Sequence, residues 1–280
     1  MRQTVEKAFI EKCRDSFNED NRNLLISNSV VKNGINDSSI NHKTVTDMYY
    51  EFSDEIEVGK VTHQKQTGRC WMFAALNNIR YAISKELKLK DKNFELSQAF
   101  TMFWDKFEKA NYFLESIIDS VDKDLDSRTV SWLLENPTND GGQWDMFVAL
   151  VEKYGIIPKY AMPESFHSSN SRQMNFILDL FLRNAAKKIR EMYKEKKESS
   201  HIRSKKEEML ISFYSLLAYF LGEPPKKLDF EYRDKENVFH RVENITPVEF
   251  YKQISPIKLT DYVSIINPRQ LTNLLVKLIL

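Results

Sequence analysis

Residues 64–87 read QKQTGRCWMFAALNNIRYAISKEL, and the change of character inside this stretch decides the fold. A polar loop closing on Thr67 and Gly68 gives way at Cys70 to seven consecutive apolar residues, after which apolar side chains recur at Ile79, Ile83 and Leu87. That spacing predicts a helix from Cys70 to Leu87, its first two turns buried on all sides and the remainder amphipathic. Cys70 falls in the first turn, beside the positive end of the helix dipole, which favours thiolate over thiol. A cysteine there is either a prepared nucleophile or a small buried hydrophobe, and its surroundings decide between the two.

Downstream, residues 95–120 follow helical spacing, with Phe100, Phe103, Trp104 and Phe107 on one face and Asp105, Lys106 and Glu108 off it. Further helices are predicted over 143–154, 171–195 and 207–221, the last ended by Gly222 and the Pro224-Pro225 pair. The segment KLDFEYRDKENVFHRVENITP (227–247) alternates like a hairpin; Thr246 then caps a helix whose first residue is Pro247. Upstream, residues 1–24 carry Val5, Phe9 and Phe17 among charges, the pattern of an amphipathic helix. Residues 26–69, rich in Asn, Ser and Thr, predict irregular structure wrapping another element. Residues 186–208 hold nine Lys or Arg and five Glu, and these mixed signs suit a solvated helix face better than a nucleic-acid site.

Composition narrows the class. The 280 residues carry 41 Lys plus Arg against 40 Asp plus Glu, so no global field draws the chain to nucleic acid or an anionic membrane. A hydrophobic content of 42% supports a packed core. Seven glycines fall far below the usual frequency of about 7%, which disfavours Rossmann and P-loop architectures and favours helices. Cys13 and Cys70 cannot build a disulfide framework, and two Cys with five scattered His write no zinc site. No apolar run approaches the roughly 20 residues of a membrane span, and the charged N-terminus MRQTVEKAFIEKC does not read as a signal peptide. A cytoplasmic protein without metal or membrane partner is expected.

Gln64, six residues before the Cys70-Trp71 pair, gives an arrangement that resembles the papain superfamily of cysteine peptidases. Within it the chain is similar to the aminopeptidase C and bleomycin hydrolase family. The blocks that carry the likeness are QKQTGRCWMFAALN, FELSQAFTMFWDKFEKANYFLE, DGGQWDMFVALVEKYGIIPK with MPES after it, SSNSRQMN, FEYRDKENVFH, ITPVEFY and DYVSIIN. They follow the family's order over residues 45–267. The resemblance implies an α+β, predominantly helical, papain-like fold. It would comprise an N-terminal arm and wrapping segment (1–69), a helical lobe (70–165), a helical insertion (166–225), the start of a barrel lobe (226–267) and a divergent tail (268–280).

The resemblance also implies a cysteine aminopeptidase acting on peptide N-termini with no metal or organic cofactor, assembled as a homo-hexamer around an inner chamber. Carried over by position, Cys70 is the nucleophile, and Gln64 donates to the oxyanion beside the Cys70 backbone N–H; such donors contribute around 3 kcal/mol each in measured cases. Trp71 is scaffold. Gly141 and Gly142 let a substrate backbone lie alongside the enzyme's own, an approach that a side chain at Gly142 would obstruct. Thr67 stands where secreted relatives carry a second cysteine, so their disulfide cannot form here. His63 occupies a position often held by Asn and is not the expected general base.

A thiolate nucleophile needs an imidazole, and the imidazole an orienting amide. Of His42, His63, His167, His201 and His240, only His201 lies at the spacing of about 130–150 residues seen in compact papain-like enzymes. Its setting, ESSHIRSKKEEML, is a charged helix and unlike a barrel strand. No Asn-Ser-Trp occurs in the chain. The family places both residues beyond DYVSIIN, whereas PRQLTNLLVKLIL (268–280) does not continue in the family's manner. The expectation is therefore the N-terminal part of such an enzyme, with the catalytic His and Asn absent, the barrel lobe largely missing, an apolar patch at Leu271–Leu280 and little activity alone. The alternative is a catalytically inactive remnant that binds peptides or a partner protein.

Overall fold

The computed structural model describes residues 4–56 and 59–263. The expected tail 268–280, its apolar patch and the end of the DYVSIIN block lie outside the described residues. The chain divides at Glu57/Val58 into two units.

The first unit holds three helices, α1 (Lys7–Asn18), α2 (Asn21–Ser38) and α3 (His42–Thr46), and none of them contains a buried residue. The long α2 corrects the expectation of irregular structure from residue 26. Asp20 caps it by accepting the Arg22 N–H, and Leu24, Leu25 and Ile26 follow among the Asn and Ser residues that obscured the helix. Its regularity breaks at Gly34, where φ is 78°.

The second unit is built on α4 (Cys70–Glu86) and α5 (Gln98–Asp119), followed by α6 (Arg128–Glu135), α7 (Trp144–Tyr154), α8 (Phe166–Ser169), α9 (Arg172–Lys194) and α10 (Ser199–Leu221). A two-stranded antiparallel hairpin, β1 (Leu228–Arg233) and β2 (Phe239–Ile245), precedes α11 (Pro247–Ile254). α5 is the central element and packs against α4, α6, α7, α9 and α10. Its buried Phe100, Phe103, Phe113, Leu114 and Ile117 supply much of the core. Trp104 stacks on Tyr154 of α7 with ring centroids 4.0 Å apart. Asp105 and Lys106, which the spacing put off the apolar face, are buried at 2% and 0% exposure. Neighbouring helices cover α5 around both residues, while Tyr112 and Asp119 of the same helix stay exposed, so charges buried there must find partners inside the protein.

The charged run 186–208 spans the end of α9 and the start of α10, with a break at residues 195–198, and most of its charges are exposed as a solvated face requires. Three of its cations also tie helices together: Arg190 donates to the carbonyls of Ser120 and Lys123, and Arg203 and Lys206 pair with Glu115 on α5. One further expectation changes. α4 is not buried on all sides, because Cys70, Ala74 and Asn78, spaced four apart, form an exposed stripe along it.

The hairpin and α11 follow their sequence signals. Thr246 and Glu249 form a reciprocal capping box with Pro247 in the first turn. Gly155 ends α7 with φ at 75°, and a Cβ there would sit 2.1 Å from the Pro247 carbonyl carbon and oxygen. Both neighbours are backbone, so neither can rotate away. Gly155→Ala is expected to cost about 3 kcal/mol or more, combining left-handed strain with the clash, and to lower the thermal midpoint in a melt followed by circular dichroism.

Candidate active site

Cys70 opens α4 and is exposed and unoxidised. The loop before it is tied down at several points. Gln66 N–H donates to the Ser169 carbonyl at 3.0 Å. Arg69, 1% exposed, sends both terminal nitrogens to Glu164 at 3.2 and 2.8 Å and its Nε to Thr67 Oγ1 at 3.0 Å. A buried guanidinium needs such a bidentate carboxylate to offset its lost hydration. Glu164 is steadied in turn by Ser168 Oγ at 2.7 Å. The MPES and SSNS segments thus form the seat of the loop that precedes Cys70.

Gln64 lies in that loop with its amide turned inward. Nε2 donates to the Thr67 carbonyl at 2.6 Å, and Thr67 Oγ1 returns a bond to the Gln64 carbonyl at 2.7 Å. An amide nitrogen has two hydrogens, so this bond uses one donor and leaves the second. His63 Nδ1 accepts the Lys65 N–H at 2.8 Å.

The glycine pair lies on the other side of Trp71. The indole Nε1–H donates to the Asp140 carbonyl at 2.8 Å. A Cβ on Gly142 would fall 2.5 Å from two atoms of the Trp71 ring, whereas one on Gly141 would meet only Asn139 Oδ1, at 3.5 Å. The need for glycine at 142 therefore comes first from the protein's own tryptophan. Gly142→Ala is expected to displace the indole and weaken its bond to Asp140, a change readable as a shift in tryptophan fluorescence. Gly141→Ala should leave the spectrum as it is.

Residues 138–141 present four successive carbonyls, and each accepts from a side chain of α4 or α5. Lys106 takes Thr138 at 2.9 Å, Lys109 takes Asn139 at 2.9 Å and Gly141 at 2.7 Å, and Trp71 takes Asp140. Among the described residues Gly142 has no hydrogen bond on either backbone polar group. Beside the glycine pair opens a cavity of about 790 Å³, to which Tyr112, Trp132 and Met146 contribute.

The electrostatics of this loop were not legible in the sequence. The Asp140 carboxylate accepts from Lys106 Nζ (2.7 Å), Asn175 Nδ2 (2.8 Å), Ser171 Oγ (2.5 Å) and the Gly68 N–H (3.1 Å). Burial alone would raise its pKa, but the Lys106 charge and these hydrogen bonds outweigh it and hold the carboxyl well below the ordinary range. Next to it, burial pushes Asp105 up and Lys109 down, each against the other's charge across a 2.8 Å contact. The DGG spelling marked the glycines, but nothing local marked the aspartate as the point where four segments meet.

None of the five histidines is hydrogen-bonded to Cys70. His240 pairs with Asp234 at 2.8 Å and stacks on Tyr232. His167 packs edge-on against Phe166 and Phe220, and His42 and His201 lie exposed on α3 and α10. Among the described residues no group of three or more His, Cys, Asp or Glu is arranged to hold a metal ion, and no helix is long and apolar enough to cross a membrane.

The model of the Peptidase C1-like family matches residues 4–279. The chain is 48% identical over 258 residues to aminopeptidase C of Listeria innocua serovar 6a, covering 92% of this chain and 57% of that protein. It is 46% identical over 241 residues to aminopeptidase C of Lactobacillus delbrueckii subsp. lactis, covering 86% and 53%. The crystal structure of PepW from Lactobacillus rhamnosis HN001 superposes with a TM-score of 0.88 at 43% identity, over 93% of this chain and 58% of that one. The chain thus spans little more than half the length of these relatives.

Proposed function

The chain belongs to the Peptidase C1-like family, and from that premise we propose that it carries the nucleophile half of a cysteine aminopeptidase. Cys70 is the nucleophile, Gln64 and the Cys70 N–H are the oxyanion donors, and Gly142 is the backbone against which the peptide lies. The Cys70 thiolate attacks the carbonyl of the N-terminal residue, forming a C–S bond. The tetrahedral oxyanion collapses, the C–N bond breaks, and the amine departs with a proton. Water then cleaves the thioester, releasing the amino acid and regenerating the thiol.

The observation that carries this reading is the exposed Cys70 at the start of α4, between a loop clamped by Arg69–Glu164 and a glycine whose backbone bonds are unspent. With all five imidazoles placed away from hydrogen bonds to Cys70, the proposal assigns the base and its orienting amide to residues outside these 280. A reducing, cytoplasmic setting belongs to the same proposal and is supported by two free thiols.

The test uses the chain's own second cysteine as reference, since Cys13 is exposed as well. An aminoacyl chloromethyl ketone should label Cys70 faster than Cys13, by at least about tenfold relative to iodoacetamide, as binding brings the reagent to the sulfur. Equal labelling of both thiols by both reagents would reject the reading. A second reading, a peptide-binding module without turnover, is favoured by the same histidine positions. It predicts peptide binding with no acyl transfer to Cys70.

A further inference from the structure

We infer that Asp140 is a positioning residue that sets the distance between the nucleophile and the substrate-binding backbone, with Lys106 as its buried counter-charge; this rests on the reading of Cys70 and Gly142 given above. Asp140 bonds in both directions. Its carboxylate accepts the N–H of Gly68, two residues before Cys70, at 3.1 Å. Its carbonyl accepts the indole of Trp71, the residue after Cys70, at 2.8 Å. Two residues later in the same loop is Gly142, where a Cβ would lie 2.5 Å from two atoms of that indole.

The nucleophile and the peptide-binding glycine thus approach the same residue from opposite sides, and Asp140 itself is held from behind. Ser171 and Asn175 on the α9 side and Lys106 on α5 fill the rest of its carboxylate. The Lys106 side chain is 0% exposed and that of Asp140 10%. A carboxylate with four donors, one of them a buried cation, has no room to swing, so the loop it belongs to is fixed relative to α4. A misplacement of 1 Å in such an arrangement costs about 10²-fold in rate in well-oriented reactions.

The test measures a ratio that a structural role would leave unchanged. An aminoacyl chloromethyl ketone, its ketone in place of the N-terminal residue's carbonyl, needs the Gly142 backbone to align it before the thiolate sulfur displaces chloride; iodoacetamide needs only an accessible sulfur. Labelling of Cys70 is followed by peptide mapping, with Cys13 as the internal reference. In Lys106→Met/Asp140→Ala, which removes both charges together, the ratio of the two rates at Cys70 should fall at least about tenfold while the iodoacetamide rate stays within about twofold of wild type.

Lys106→Met/Asp140→Asn keeps an oxygen for the Gly68 N–H and should recover most of the ratio. Should the alanine variant fail to fold, Ser171→Ala removes one brace on the carboxylate without touching the charge pair and should lower the ratio about fivefold, one hydrogen bond's worth. An unchanged ratio, a parallel loss of both rates, or equal loss in the alanine and asparagine variants would overturn the role of Asp140. A wild type that shows no preference for the aminoacyl reagent would instead overturn the parent reading, and this inference with it.

Discussion

An aminoacyl-coumarin amide should be hydrolysed by these 280 residues alone at no more than about 10⁻³ of the rate of a full-length relative, since removing a base or its orienting partner costs 10³ to 10⁶ in turnover. No imidazole of the chain is hydrogen-bonded to Cys70, in line with the expected deficit. His63 Nδ1 accepts the Lys65 N–H, His240 pairs with Asp234, His167 lies against Phe220, and His42 is exposed on α3. His201, the residue at the spacing of compact relatives, is exposed on α10. On the proposed reading the oxyanion donors and the binding backbone remain, so the residual rate should still exceed that of free cysteine and fall further in Cys70→Ala. A rate within tenfold of the relative, abolished by Cys70→Ala, would mean that one of these histidines serves as the base.

The second large effect concerns stability. Lys106→Met alone leaves the Asp140 carboxylate buried among neutral donors, and breaking one side of a buried pair typically costs 3 to 5 kcal/mol. Against a total stability of about 5 to 15 kcal/mol, that should lower the thermal midpoint by roughly 10 °C in a unit of this size. Lys106→Met/Asp140→Asn removes both charges and should return most of the loss. If the double variant is no more stable than Lys106→Met, the pair is not coupled as the 2.7 Å contact indicates.

The pair also fixes a pH dependence. Asp140 is held below its unfolded value of about 3.9, so its contribution is fully present above that pH and is lost as pH falls toward the folded value. Wild type should therefore lose stability below about pH 4 more steeply than the double variant, in acid titrations followed by circular dichroism.

Much of this architecture was legible in the sequence because it rests on local signals. The apolar run after Cys70, the Thr246-Pro247 cap and the alternation of 227–245 each specify an element within a few residues. The parts that were not legible depend on contacts distant in sequence. The spacing puts Lys106 off the apolar face, and its burial depends on the 138–141 loop closing over α5. α2 was hidden by its Asn and Ser content, with Asp20 as the one local sign of its start. The sequence offers Gln64 as an oxyanion donor by position alone; its bond to Thr67 depends on how the loop closes. It offers Gly142 as room for a substrate; the nearer obstacle is Trp71, set by the indole's bond to Asp140.

The central claim is that Cys70 performs acyl transfer, and an aminoacyl p-nitrophenyl ester tests it most directly, because its leaving group departs without an acid. With no base beside Cys70 to activate water, the thioester should accumulate: a burst of about one equivalent of nitrophenolate, the aminoacyl mass on the Cys70 peptide, and neither in Cys70→Ser. Nitrophenolate release without an acyl group on Cys70, or acylation shared equally with Cys13, would contradict the account.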